Sequence, residues 1–152
     1  MAIRYRFNFI VNDDDRIIIV RPIGDIPGAM LVDLLLNAYS NVTAPWTYNR
    51  VNDFRRYEGY LEDVHLAELA RRWSEWTAGI SYHSHVAILP RHAFEKLRLP
   101  EISPQFPNET ICFFGDYHEA VGWVLSADRG NFLAGLGKLG PPRADEGAIS
   151  VI

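Results

Sequence analysis

Two short runs, "RIIIVRPI" at 16–23 and "SHVAILP" at 84–90, constrain the fold more than any other feature. A run of adjacent apolar residues has no polar face to leave in water. As a strand it therefore needs cover on both sides, which is the condition of a strand inside a mostly parallel sheet. Ahead of the first run, "YRFNFIV" at 5–11 alternates, placing Tyr5, Phe7, Phe9 and Val11 on one face. The intervening "NDDD" is turn chemistry, so 5–11 and 16–23 are expected to pair as an antiparallel hairpin. Gly24 and "IPG" end the second strand, with Asp25 available as a helix cap.

Helical spacing then takes over. Leu31, Leu34, Leu35, Ala38 and Tyr39 repeat along 29–40, with Pro45 marking the exit. Leu66, Leu69, Trp73 and Trp76 form a stripe along 61–78, while Glu68, Arg71, Arg72 and Glu75 are expected to face water. Between these helices a short strand is expected around 48–55, with Val51 and Phe54 as its whole apolar signal. After "SHVAILP" come a short helix in "RHAFEKLRL", a loop in the proline-rich "PEISPQFPNET", a strand in "TICFFGDY" and a helix in "HEAVGWVLSA". Ala120, Trp123 and Val124 are expected to point inward from that last helix. The order β-β-α-β-α-β-α-β-α predicts a single α/β domain with right-handed crossovers. The domain is assigned to residues 1–128, followed by a Gly-rich tail at 129–152. The tail has no usable period, but "AISVI" is suited to adding a strand, either to its own domain or across a homodimer.

Composition closes off several classes. The 152 residues are 48% hydrophobic and 22% charged, values of a globular chain. A net charge of −4 argues against a broad surface for nucleic acid. No run approaches the ~20 apolar residues of a membrane span. One cysteine, Cys112, permits no internal disulfide and fits a cytoplasmic setting. Its ordinary role is a small apolar side chain in a strand.

In order along the chain, several residues resemble the SpoIIAA-like branch of the STAS-type fold. They are the opening hairpin, a strand ending in Asp53 with Arg55 and Gly59 behind it, the long helix, "VAIL", and "FF" before "HEAVGWVL" with Glu119, Ala120 and Trp123. The resemblance spans about residues 5 to 127 and leaves out the tail. It implies a βα superhelix with a mostly parallel sheet and helices mainly on one side, related in fold to CRAL-TRIO lipid carriers. Sigma-factor antagonists of this fold carry a phosphorylatable serine at the loop entering the second helix. Between Asp53 and Tyr60 this chain has neither serine nor threonine, so the phospho-switch and the antagonist function do not transfer.

Candidate ligand-binding residues are Asp53, Arg55, Arg56, Tyr57, Trp73 and Trp76. Asp53 lies near a strand end, where it can face a ligand, cap a turn or pair with Arg55. Arg55 and Arg56 can hold an anionic head group through the guanidinium fork. Trp73 and Trp76, with Leu66 and Leu69, either line a lipophilic cavity beneath the helix or are plain core. His83 and His85 have a spacing that can bind metal, but no third ligand is evident nearby, so no metal is assigned. With no nucleophile elbow, phosphate loop or dinucleotide fingerprint, neither catalytic residues nor a cofactor are expected. The first expectation is a non-catalytic interaction or regulatory module with a protein partner. The second is a carrier or sensor of a fatty acid or other lipophilic molecule, touching membranes through 90–108 and the helix at 61–78.

Overall fold

The computed structural model describes residues 4–136, with side chains described to 127. Among the described residues five strands lie in a single sheet in the order of the chain. They are β1 (Tyr5–Asn12), β2 (Ile17–Gly24), β3 (Asn49–Asp53), β4 (Ser84–Leu89) and β5 (Glu109–Phe113). The hairpin forms as expected, with β1 antiparallel to β2 from Tyr5 opposite Gly24 to Asn12 opposite Ile17. The other three pairings are parallel. β2 is buried along its whole apolar run, Ile17 to Val20, so the continuous run does mean cover on both faces.

The two faces are covered unequally. Ile18 and Val20 point to one side, where they meet α1 (Gly28–Ser40) and α2 (Asp63–Trp76). Ile17, Ile19, Val51, Ala87 and Leu89 point to the other, where α4 (Tyr117–Leu136) packs on β3 and β4. Among the described side chains of α4, Ala120, Val121, Val124 and Leu125 are fully buried. Trp123, expected inward, sits half-buried against Phe114 and the His85 ring.

Three local expectations are corrected. The cap of α1 is Pro27, whose fixed φ suits a helix start, and Asp25 plays no such part. The proline-rich stretch after residue 98 is not all loop. α3 (Leu99–Ile102) and a 3-10 turn at Ser103–Gln105 each place proline in the first turn, where its missing N–H costs nothing. The last helix continues to Leu136, eight residues into the segment read as tail. Extending a formed helix gains a hydrogen bond per residue, against roughly 1 kcal/mol for each glycine. The strand-adding and dimer-forming expectations for "AISVI" lie outside the described residues. Among those described, no helix is long and apolar enough to cross a membrane.

Candidate functional site

β3 is the middle strand, yet four of its five residues are polar: Asn49, Arg50, Asn52 and Asp53. Three of them are almost fully buried. Polar groups so placed must be paired or they cost stability. The strand's alternation sends Asn49 and Asp53 to the α4 side and Arg50 and Asn52 to the α1–α2 side.

On the α4 side the pairing is complete. Asn49 Nδ2 donates to the Val124 carbonyl at 2.9 Å, and its Oδ1 accepts from the His85 amide at 2.7 Å. The Asp53 carboxylate accepts from Arg21 Nε at 3.0 Å and from Arg55 Nε and Nη2 at 2.8 Å each. Burial alone would raise the Asp53 carboxyl, but the hydrogen bonds from Arg55 and Arg21 outweigh it and hold the group below its ordinary range. Both guanidinium groups lie 5.4 Å from the Tyr117 ring. Asp53 therefore has the salt bridge to Arg55 weighed from sequence, and the pair does not face a ligand cavity.

The opposite side holds one. A cavity of about 270 Å³ lies between the sheet and the helices α1 and α2. Its floor is Arg50, Asn52, Val86, Ile88 and Ile111 from three strands; its roof is Leu66, Leu69 and Trp73 from α2. The 54–61 loop and the helical turns between 91 and 106 form its rim. This loop is clamped to the end of β2. Gly24 N donates to the Arg56 carbonyl and Glu58 N to the Gly24 carbonyl, both at 2.9 Å, and the Tyr57 hydroxyl donates to the Ile26 carbonyl at 2.7 Å. At Gly59 a Cβ would meet the Ile26 carbonyl and come within 2.6 Å of the Tyr57 hydroxyl oxygen, so this close approach requires glycine.

At the cavity's base Arg50 reaches across β4 to Glu109 on β5, with Nη2 to Oε1 at 2.7 Å. Both side chains are about 95% buried, at 4% and 5% exposure. Glu109 Oε2 also accepts from the Tyr82 hydroxyl at 3.2 Å, and the Tyr82 hydroxyl oxygen accepts from Trp73 Nε1 at 2.8 Å. The Arg50 guanidinium lies 4.9 Å from the Trp73 ring and 5.8 Å from the Tyr39 ring. Burial works against the charge on Arg50. Glu109 and, less strongly, Tyr39 more than offset it and hold the guanidinium above its ordinary range. The Tyr39 hydroxyl is itself pushed up to about 12, mainly by burial, with Arg50 opposing. Two buried atoms have no hydrogen-bond partner among the described residues, Arg50 Nη1 and Asn52 Oδ1, and both residues line the cavity.

Of the residues singled out from sequence, Tyr57 and Trp73 line this cavity. Asp53 and Arg55 lie on the far face, Arg56 is exposed, and Trp76 packs edge-on against Trp46 and Trp73 outside the lining. The polar residues at its base, Arg50, Asn52 and Glu109, went unmarked. Their signal was present in the opposite form, a middle strand with too little apolar content. His83 and His85 do stand together, rings 5.1 Å apart, but among the described residues no third metal-ligating side chain joins them. Cys112 is half-buried on β5.

No protein-family model matches the chain, and no curated protein matches it. A solved structure does. An uncharacterized protein of the DUF3478 family with a SpoIIAA-like fold, from Shewanella loihica PV-4, superposes with a TM-score of 0.52 at 16% sequence identity. The match covers 82% of this chain and 97% of that one. With its antiparallel hairpin, three parallel strands and sequential strand order, the chain has the SpoIIAA-like fold.

Proposed function

We propose that this chain is a non-catalytic binding domain that takes a small lipophilic molecule between its sheet and helices α1 and α2, as a carrier or sensor. One observation carries the reading. The cavity is walled by apolar and aromatic side chains, and its base is a buried polar cluster in which Arg50 and Asn52 each keep one unpartnered atom. Small-molecule sites have this composition, an apolar wall with few polar groups that fix orientation.

A second feature supports an interaction role at the same place. Val64, Phe94 and Leu97 are 67%, 66% and 74% exposed on α2 and the 3-10 turns at 93–98, and Phe94 lines the cavity. Exposed apolar side chains on the elements that carry a mouth suit a partner protein or a membrane surface from which a ligand passes.

Native mass spectrometry of protein purified from cells tests the binding reading. A retained small organic mass is expected, and it should be lost in Ile88→Trp, whose indole would occupy the cavity. A chain that carries no such mass and binds no lipophilic probe would overturn it.

A further inference from the structure

The charge balance of the cavity narrows the chemistry of what it can hold. The inference rests on the reading that the cavity takes a ligand. An arginine at the base of an apolar cavity ordinarily suggests an anionic ligand, a fatty acid for example. Here that position is already filled. Glu109 lies 2.7 Å from Arg50 and is buried with it, so the pair presents a dipole to the cavity and no net charge. A ligand carboxylate placed near Arg50 would also be near Glu109, and repulsion from one would offset attraction to the other. The rim is balanced as well, with Glu58 and Glu95 set against Arg91 and Arg98. The arginines that could have supplied an excess of positive charge, Arg21 and Arg55, are engaged by Asp53 on the opposite face of the sheet.

What the base does offer is neutral hydrogen bonding. Among the described residues Arg50 Nη1 is a donor without an acceptor and Asn52 Oδ1 an acceptor without a donor. An uncharged amide satisfies both, its carbonyl accepting from Arg50 Nη1 and its N–H donating to Asn52 Oδ1, without bringing a charge out of water. Size sets a second limit. An apolar cavity of ~150 Å³ admits benzene, with its six non-hydrogen atoms. In proportion, 270 Å³ holds roughly eleven. A long-chain lipid would have to extend through the rim.

We infer that the cavity selects an uncharged amphipathic molecule of about ten to twelve non-hydrogen atoms, its amide end accepting from Arg50 and donating to Asn52 and its apolar body under Trp73. Decanamide, decan-1-ol and decanoate are suitable probes because they share one chain length and differ in the head group. Isothermal titration into the full-length chain at pH 7.5 is expected to give decanamide at least a ten-fold advantage over decanoate, with decan-1-ol between them. In Glu109→Gln the order should invert, because Arg50 then has a charge to offer. Tighter binding of decanoate by the unaltered chain would overturn the inference while leaving the cavity a ligand site. Failure of all three to bind would overturn the binding reading itself, and the inference with it. Should Glu109→Gln not fold, the comparison in the unaltered chain still decides.

Discussion

Removing either member of the Arg50–Glu109 pair should be far more damaging than removing both. The two groups are buried to 4% and 5% exposure and share a 2.7 Å hydrogen bond. Glu109→Gln keeps the shape and an oxygen for Tyr82 but leaves the guanidinium in the core without a counter-charge. Arg50→Met leaves the carboxylate there instead. Breaking a buried pair in this way costs about 3–5 kcal/mol, set mostly by the remaining unpaired charge. Against a total stability of about 5–15 kcal/mol, either variant is severe. The double variant Arg50→Met/Glu109→Gln removes both charges and should return to within about 2 kcal/mol of the parent, since a buried pair roughly offsets its own desolvation. Urea unfolding followed by tryptophan fluorescence reads all four proteins. With a slope of about 2 kcal/mol per molar, each single change should lower the midpoint by roughly 1.5–2.5 M. Arg50→Met should also show a pH signature. An unpaired buried carboxyl has its folded pKa raised above the unfolded value. The variant's deficit is therefore largest above the folded pKa and shrinks as pH falls through it, because the folded state then takes up a proton. Single changes costing under about 1 kcal/mol, as exposed ion pairs do, would refute the reasoning. So would a double variant equal to the sum of the singles.

Trp73→Ala should enlarge the cavity, remove the donor to Tyr82 and cost about 3–5 kcal/mol in a thermal or urea melt, since Trp73 is 5% exposed; a loss under about 1 kcal/mol would mean that the helix collapses to fill the space. Asp53→Asn should cost about 1–3 kcal/mol near neutral pH, reduced at the Arg55 end because that side chain is 45% exposed. The folded Asp53 carboxyl lies below its unfolded value, so its contribution is present above about pH 4 and fades as pH falls through the folded pKa; the gap between variant and parent should narrow on acidification, and a gap that widens would contradict the pairing.

The parts of the fold carried by apolar periodicity were legible in the chain. The hairpin, the buried run at 17–20 and, of the stripe on α2, Leu66, Leu69 and Trp73 stand where the spacing put them, while Trp76, its fourth residue, is 37% exposed. β3 was hardest to read for the reason that makes it interesting. A strand identified by apolar content is nearly invisible when Asn49, Arg50, Asn52 and Asp53 occupy it. Its burial comes from neighbours on both sides, β2 and β4, which no local window includes. Arg50 in particular looks like any solvated arginine until Glu109, 59 positions later, is brought over β4 to meet it. The expectation of an anion held by Arg55 or Arg56 came from the guanidinium fork. That fork on Arg55 is taken by Asp53, whose side chain leaves β3 on the α4 face. The continuation of α4 to Leu136 was hidden by Gly130 and Gly135, which erase periodicity without breaking a helix already formed.

The reach of Arg50 over β4 also bears on alignment. Parallel strands of similar apolar composition can slide past one another at small energetic cost unless something distinguishes one offset from the next. Among the described residues β5 is an outermost strand paired with β4 alone, so it is open to such slippage. A shift of β5 by one residue would turn Glu109 to the α4 side and leave Arg50 buried without its counter-charge; a shift by two would restore the side but move the carboxylate by roughly 6.5 Å, beyond the 2.7 Å contact. One ion pair thus discriminates among offsets that apolar packing alone would tolerate, and it indexes three strands at once.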